Sequence, residues 1–167
     1  MGKISASIDA LSNWTGKGAS FLILATIAVI IPEVIARYVF NHSFLFAHDI
    51  VWFFCGTMYV IGGAYTLLRE GHVKVDLIYS KFPPRGRAIL DVITFFVFAL
   101  FCVFLVWQGI RGFALSFKTW ELTVTPWGGP VWLLRLMIPV GAFLILLQGF
   151  NKFVGDLKII RGSKHAD

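Results

Sequence analysis

A chain of 167 residues that is 57% hydrophobic and 14% charged is too apolar for an ordinary soluble domain, where apolar residues make up roughly 45–50%. The formal charge of +6 would suggest nucleic acid in a soluble protein. Here the basic residues flank apolar runs, so lipid headgroups and insertion bias account for them and no nucleic-acid partner is expected.

In chain order, residues 1–18 set Ile4, Ile8, Leu11 and Trp14 on one helical face, with Ser, Asp, Asn and Lys on the other. That pattern predicts an amphipathic helix lying along the inner leaflet. Four apolar runs follow, over about 19–40, 47–68, 89–113 and 131–153, each long enough to cross a bilayer. The first is longer than a signal-peptide core and carries Pro32, so it is expected to stay in the mature chain. A basic tail over 154–167 completes an all-α integral membrane protein of four transmembrane helices. Spans of about 22 residues use roughly half the chain, so no separate soluble catalytic domain is expected.

Of the 15 Lys and Arg residues, those before the first span, between the second and third, and after the fourth share one side. Only Arg111 and Lys118 lie in the connections on the other. The positive-inside rule then predicts that both termini are cytoplasmic. Trp107, Trp120, Trp127 and Trp132 cluster at the opposite boundary, and Trp120, Trp127, Trp132 and the nearby Arg135 are expected to act as interfacial anchors. Lys81, Arg85 and Arg87 are expected to hold inner-leaflet phosphates.

Charge within a span is costly unless paired or hydrated. Glu33 and Arg37 stand four apart on the first span, acid before base, the favourable order for an intrahelical pair. His48 and Asp49 open the second span after a short turn, so Asp49 is expected to meet Arg37. Glu33, Arg37, His48 and Asp49 thus form a candidate polar cluster or partner contact near the membrane edge. A structural clamp is favoured over a proton or ion relay, because Arg37 is close enough to its helix end to reach the interface. His72 and Asp76, also four apart, are expected to order the loop between spans two and three.

Enzymatic readings fare poorly. No two histidines face each other at mid-membrane to ligate haem, and zinc lacks third and fourth ligands at suitable spacing. A Walker-type loop is missing, Cys55 and Cys102 form no Cys-x-x-Cys pair, and no nucleophile has matched His and acid partners. No catalytic residue and no cofactor is therefore expected. Gly56 with Gly63, and Ala142 with Gly149, are each seven apart and suggest close helix approach. Pro32 and Pro139 are expected to bend their helices.

The segments Arg37-Tyr38-Val39-Phe40-Asn41, Gly62-Gly63-Ala64-Tyr65, Arg69-Glu70-Gly71-His72-Val73-Lys74-Val75-Asp76 and Phe82-Pro83-Pro84-Arg85, followed by Pro126, Val131-Trp132 and Ile138-Pro139-Val140-Gly141, occur in an order that resembles the small membrane subunit of tripartite ATP-independent periplasmic (TRAP) transporters. The resemblance covers about 20–155. Where the family has Trp and an acidic pair, this chain has Phe46-Ala47-His48-Asp49 and keeps only Asp49. The resemblance implies a non-catalytic subunit of the bacterial inner membrane. It would act as scaffold for a large membrane subunit that carries the substrate and sodium ions, and would help dock a periplasmic substrate-binding protein that delivers carboxylate-bearing acids. Phospholipids are the remaining expected partners. The competing readings are a stand-alone oligomeric carrier that uses Glu33 as its coupling residue and, behind it, a membrane redox subunit.

A reporter fused after Asp167 should be active only in a cytoplasmic format; activity of an exported reporter there would reverse the topology.

Overall fold

The computed structural model describes residues 3–69 and 84–162. Four helices account for nearly all of them: α1 (Lys3–Val39), α2 (Ala47–Leu68), α3 (Pro84–Lys118) and α4 (Val131–Gly162). Each contains a stretch long and apolar enough to cross a membrane, so the expected four-span all-α architecture is present. Among the described residues the only β-like feature is an antiparallel bridge between Leu122 and Pro130 in the α3–α4 loop.

The bounds of α2 match the expectation, whereas the other helices run past the apolar runs that mark them. The expected break near residue 18 is missing, and α1 is one helix of 37 residues. At 1.5 Å per residue it is about 55 Å long, against a hydrocarbon core of about 30 Å. Likewise α3 begins at Pro84 and continues to Lys118, and α4 continues to Gly162 through much of the expected tail. Intrahelical hydrogen bonding does not stop where lipid does. The extended ends also find partners: Ser12 is buried on α1 while Trp14 is 78% exposed. The polar side of this segment therefore faces the bundle and the apolar side faces outward.

The helices run up and down. α3 packs most extensively on α4, α1 on α2, and α2 on α4, with a smaller α1–α4 contact. The α1–α2 turn and the α3–α4 loop share one end of the bundle, here the hairpin end; both termini lie at the other. Burying apolar surface drives little association when lipid is as apolar as the side chains, so helices in a membrane cohere through close packing at small residues. That packing is visible. Ala64 and Ala142 are almost completely buried, and α4 comes so near α2 that a Cβ on Gly141 would lie 2.6 Å from the Val60 carbonyl oxygen. Gly109 on α3 meets Pro139 on α4 in the same way, at 2.8 Å from its Cδ. Gly56, Gly63 and Gly149, singled out by their spacing, lie against Leu134, Ile145 and Phe98 of neighbouring helices.

Gly141→Ala should lower the melting temperature in detergent, with a cost of about 1–3 kcal/mol, because the obstructing atoms are backbone and cannot rotate away. Gly18→Ala, where an added Cβ meets nothing within 4 Å, should be neutral or gain up to about 1 kcal/mol of helix propensity. Equal stability of the two variants would show that the α2–α4 approach is looser than described.

Candidate functional site

At the hairpin end the chain leaves α1 through Asn41, whose φ of 49° lies in the left-handed region. Asn tolerates that region better than most residues. The His42 amide then donates back to the Ala36 carbonyl at 3.0 Å. This sharp exit lays residues 42–46 over Glu33. One Glu33 oxygen, Oε1, accepts from Arg37 Nε at 3.1 Å and Nη2 at 2.5 Å, and from the Ser43 hydroxyl at 3.1 Å. Its second oxygen, Oε2, accepts from the Phe44 amide at 2.7 Å. Glu33 is 5% exposed, while the Arg37 side chain is 56% exposed. Arg37 thus reaches outward from a carboxylate that is locked inward. The Phe44 contact matters for α2 as well, because Phe46 at its N-cap makes no side-chain capping bond, and Glu33 instead secures the strap that leads into it.

Asp49 does not join this cluster. It is buried at 5% exposure, and its Oδ2 accepts from the Thr123 hydroxyl at 3.4 Å and, more closely, from the Thr125 hydroxyl. The expected Asp49–Arg37 contact is replaced by a bridge to the α3–α4 loop. The reason is angular: Asp49 lies on the α2 face turned toward α4, whereas the strap beside Arg37 is already held by Glu33. His48, one residue earlier, is exposed and its ring tilts against Trp52 at 5.5 Å. The four residues read as one cluster are therefore two locks and one surface histidine.

The α3–α4 loop is itself built from hydrogen bonds. Thr123 donates its amide to the Gly129 carbonyl at 2.8 Å, and Val131 donates to the Glu121 carbonyl at 3.0 Å. The Gly129 amide donates to Thr123 Oγ1 at 2.8 Å. Gly128, at φ 63°, supplies the turn that only a residue without Cβ enters freely. Arg135, expected to be an interfacial anchor, forms a 2.7 Å ion pair with Glu121 of this loop and donates to the Gly112 carbonyl at 3.4 Å. Trp120 is 66% exposed and stacks on Phe117 at 5.9 Å. Trp127 meets Phe53 edge-on at 6.2 Å. Trp132 packs edge-on against Phe117 at 5.6 Å, and its indole N–H is buried without an acceptor among the described residues, a position unlike that of a headgroup anchor.

The termini end carries a network absent from the sequence reading. Ser12 donates to Gln148 Oε1 at 2.8 Å, and Gln148 Nε2 donates to Asp9 at 3.0 Å. Asn151 Nδ2 donates to the same Asp9 oxygen at 2.8 Å, and Ser5 donates to Asn151 Oδ1 at 2.6 Å. Ser5, Asp9 and Ser12 recur at helical spacing, as do Gln148 and Asn151; that matched pair of polar stripes was the available signal. Beside it, Lys152 pairs with Asp91 at 3.0 Å, and both line a cavity of about 290 Å³ together with Phe95, Phe98 and Phe153. His72, Asp76, Lys81 and the side chains of Arg85 and Arg87 lie outside the described residues. Among those described, no group of three or more His, Cys, Asp and Glu is placed to hold a metal ion.

The Glu33–Phe44, Asp49–Thr125, Ser12–Gln148 and Lys152–Asp91 connections each tie two elements of the same chain together. The family described as tripartite ATP-independent periplasmic transporters, DctQ component, matches residues 26–159. This chain belongs to that family. No curated protein matches it. As a DctQ component it is a multi-pass membrane protein and the small subunit of a TRAP transporter. The family is one of transporter components rather than enzymes, and works in general with a large membrane subunit and a binding protein.

Within this small component the two hairpin-end locks should separate experimentally. Asp49→Ala removes the carboxylate that holds the Thr123–Thr125 hydroxyl pair to α2 and should cost about 2 kcal/mol, with faster proteolysis at 119–130. Glu33→Ala should instead speed cleavage at 40–46. The same cleavage pattern for both variants would mean that the locks are one unit.

Proposed function

We propose that this chain is the non-catalytic scaffold subunit of a sodium-coupled, binding-protein-dependent transporter for carboxylate-bearing acids. It sits in the inner membrane of a bacterium with both termini in the cytoplasm. The large membrane subunit carries the substrate and the coupling sodium ions. The hairpin end, with its exposed Trp120 and Val124, faces the periplasm and contributes to docking the binding protein.

The observation that carries this reading is the state of Glu33. A coupling carboxylate has to exchange partners as ions or protons come and go. Here both oxygens are engaged, by donors from α1 and from the strap into α2, so the group serves to hold helices in register. Its depth agrees: Glu33 lies six residues before the end of α1, or about 9 Å along the axis, in the outer part of the span. The competing reading of a stand-alone carrier would need this group free and central. Exposed Phe, Ile, Leu and Val along α1 and α3 fit a broad flank that lipid or a larger apolar partner covers.

Purified alone into liposomes, the chain should move no organic acid down a gradient, and uptake should appear only with the large subunit and the binding protein. Arg37→Ala should reduce the yield of assembled complex more than uptake per assembled complex. Transport by the small component alone would overturn the scaffold reading, as would normal assembly with abolished uptake.

A further inference from the structure

The exposed residues of α2 are His48, Trp52, Tyr59, Thr66 and Arg69, the last just past its C-terminus. They are four, seven, seven and three residues apart, so they fall on one stripe with the heptad spacing of a helix that packs along another helix. Every one carries a polar atom. The flanks of α1 and α3 differ: although α3 also exposes Thr94 and Gln108, most of their exposed mid-span positions are apolar, among them Ile27, Ile31, Phe96 and Leu100, the surface that hydrocarbon wets. α2 is also the least hydropathic of the four spans. A face left to lipid would have the opposite composition.

The middle of the stripe is the most telling. Tyr59 is 74% exposed and makes no hydrogen bond to any described residue. Twelve residues into α2, it lies about 18 Å along the axis, near the centre of a bilayer, where lipid tails offer a hydroxyl no partner. Thr66, by contrast, satisfies itself on the Gly62 carbonyl at 3.0 Å. One turn from Tyr59, Gly62 has nothing within 4 Å of an added Cβ, which leaves a notch where a second backbone can come close.

We infer that this stripe of α2 is the surface on which a transmembrane helix of the large subunit docks, bringing an acceptor level with Tyr59 and a carboxylate opposite Arg69. The inference rests on the scaffold reading above. Charge selects the occupant. The stripe carries Arg69 at one end, its guanidinium over the Tyr65 ring at 5.4 Å with no carboxylate beside it among the described residues, His48 at the other end, and no acid. Two copies related by a two-fold axis along the membrane normal would set Arg69 against Arg69, which opposes pairing. A phospholipid would satisfy Arg69 through its phosphate and leave Tyr59 facing acyl chains. An unlike helix that carries an acid near the termini end answers both groups. It would cross α2 at the shallow angle of about 20° typical of heptad packing.

The test is co-purification of the tagged chain with its large subunit from membranes, with a photo-reactive phenylalanine analogue at position 59 as a second readout. Gly62→Leu adds bulk at a position where a Cβ meets nothing within 4 Å and should lower recovery of the large subunit by about tenfold or more, as bulk at a small-residue helix interface does. Gly18→Leu, equally open but off the stripe, should leave recovery unchanged. Light should join position 59 to the large subunit, identified by peptide mass. Unchanged recovery with Gly62→Leu, equal loss with Gly18→Leu, or cross-links only to lipid or to a second copy would each overturn the assignment. If the unaltered chain recovers no large subunit at all, the scaffold reading itself fails, a result distinct from any of these.

Discussion

Lipid can neither donate nor accept a hydrogen bond, so each polar side chain that enters this bundle must be answered by another protein group. The structure meets that constraint for its buried carboxylates helix pair by helix pair, while the buried Trp132 N–H and Ser116 hydroxyl find no partner among the described residues. Glu33 joins α1 to the strap into α2. Asp49 joins α2 to the α3–α4 loop. Lys152 and Asp91 join α4 to α3, and Asp9, Ser12, Gln148 and Asn151 join α1 to α4. These polar contacts lie toward the two ends of the bundle, and each fixes the register of two elements along the axis.

Between the ends, cohesion passes to shape. Gly141 against Val60, Gly109 against Pro139 and Gly149 against Phe98 let α4 lie close to both α2 and α3, and dispersion over such contacts replaces the hydrophobic drive that water would supply. Pro139 has no amide hydrogen to donate, and its ring fills the space that Gly109 leaves. A bundle held by small residues in mid-span and polar locks at its rims has few soft modes. That suits the scaffold role proposed above for this TRAP transporter small subunit.

The chemistry of its outer faces then divides the labour. α1 and α3 show mostly aliphatic and aromatic carbon in mid-span, with Thr94 and Gln108 of α3 as exceptions, while α2 shows hydroxyl, indole, imidazole and guanidinium groups along one line. α4 is the most enclosed helix, with Gly141, Ala142, Leu144, Gln148 and Gly149 all buried.

Much of this was legible in residue order. Runs of apolar residues longer than a bilayer is thick have one low-energy arrangement, so helix number and antiparallel order follow from hydropathy alone. Glu33 and Arg37 were readable because helical geometry makes neighbours of residues four apart. Asp49 was not, because its partners Thr123 and Thr125 are more than 70 positions away, and which of several polar groups it meets depends on how α2 is rotated against α4. The unbroken α1 was hidden for a similar reason: its polar first turns look like an interfacial segment until Gln148 and Asn151 are set beside them. Local spacing is written into the chain by the 3.6-residue helical turn. The rotation of each helix about its own axis is chosen only when glycines, carboxylates and hydroxyls from distant segments are packed together, because only then is it known which face has a partner and which does not.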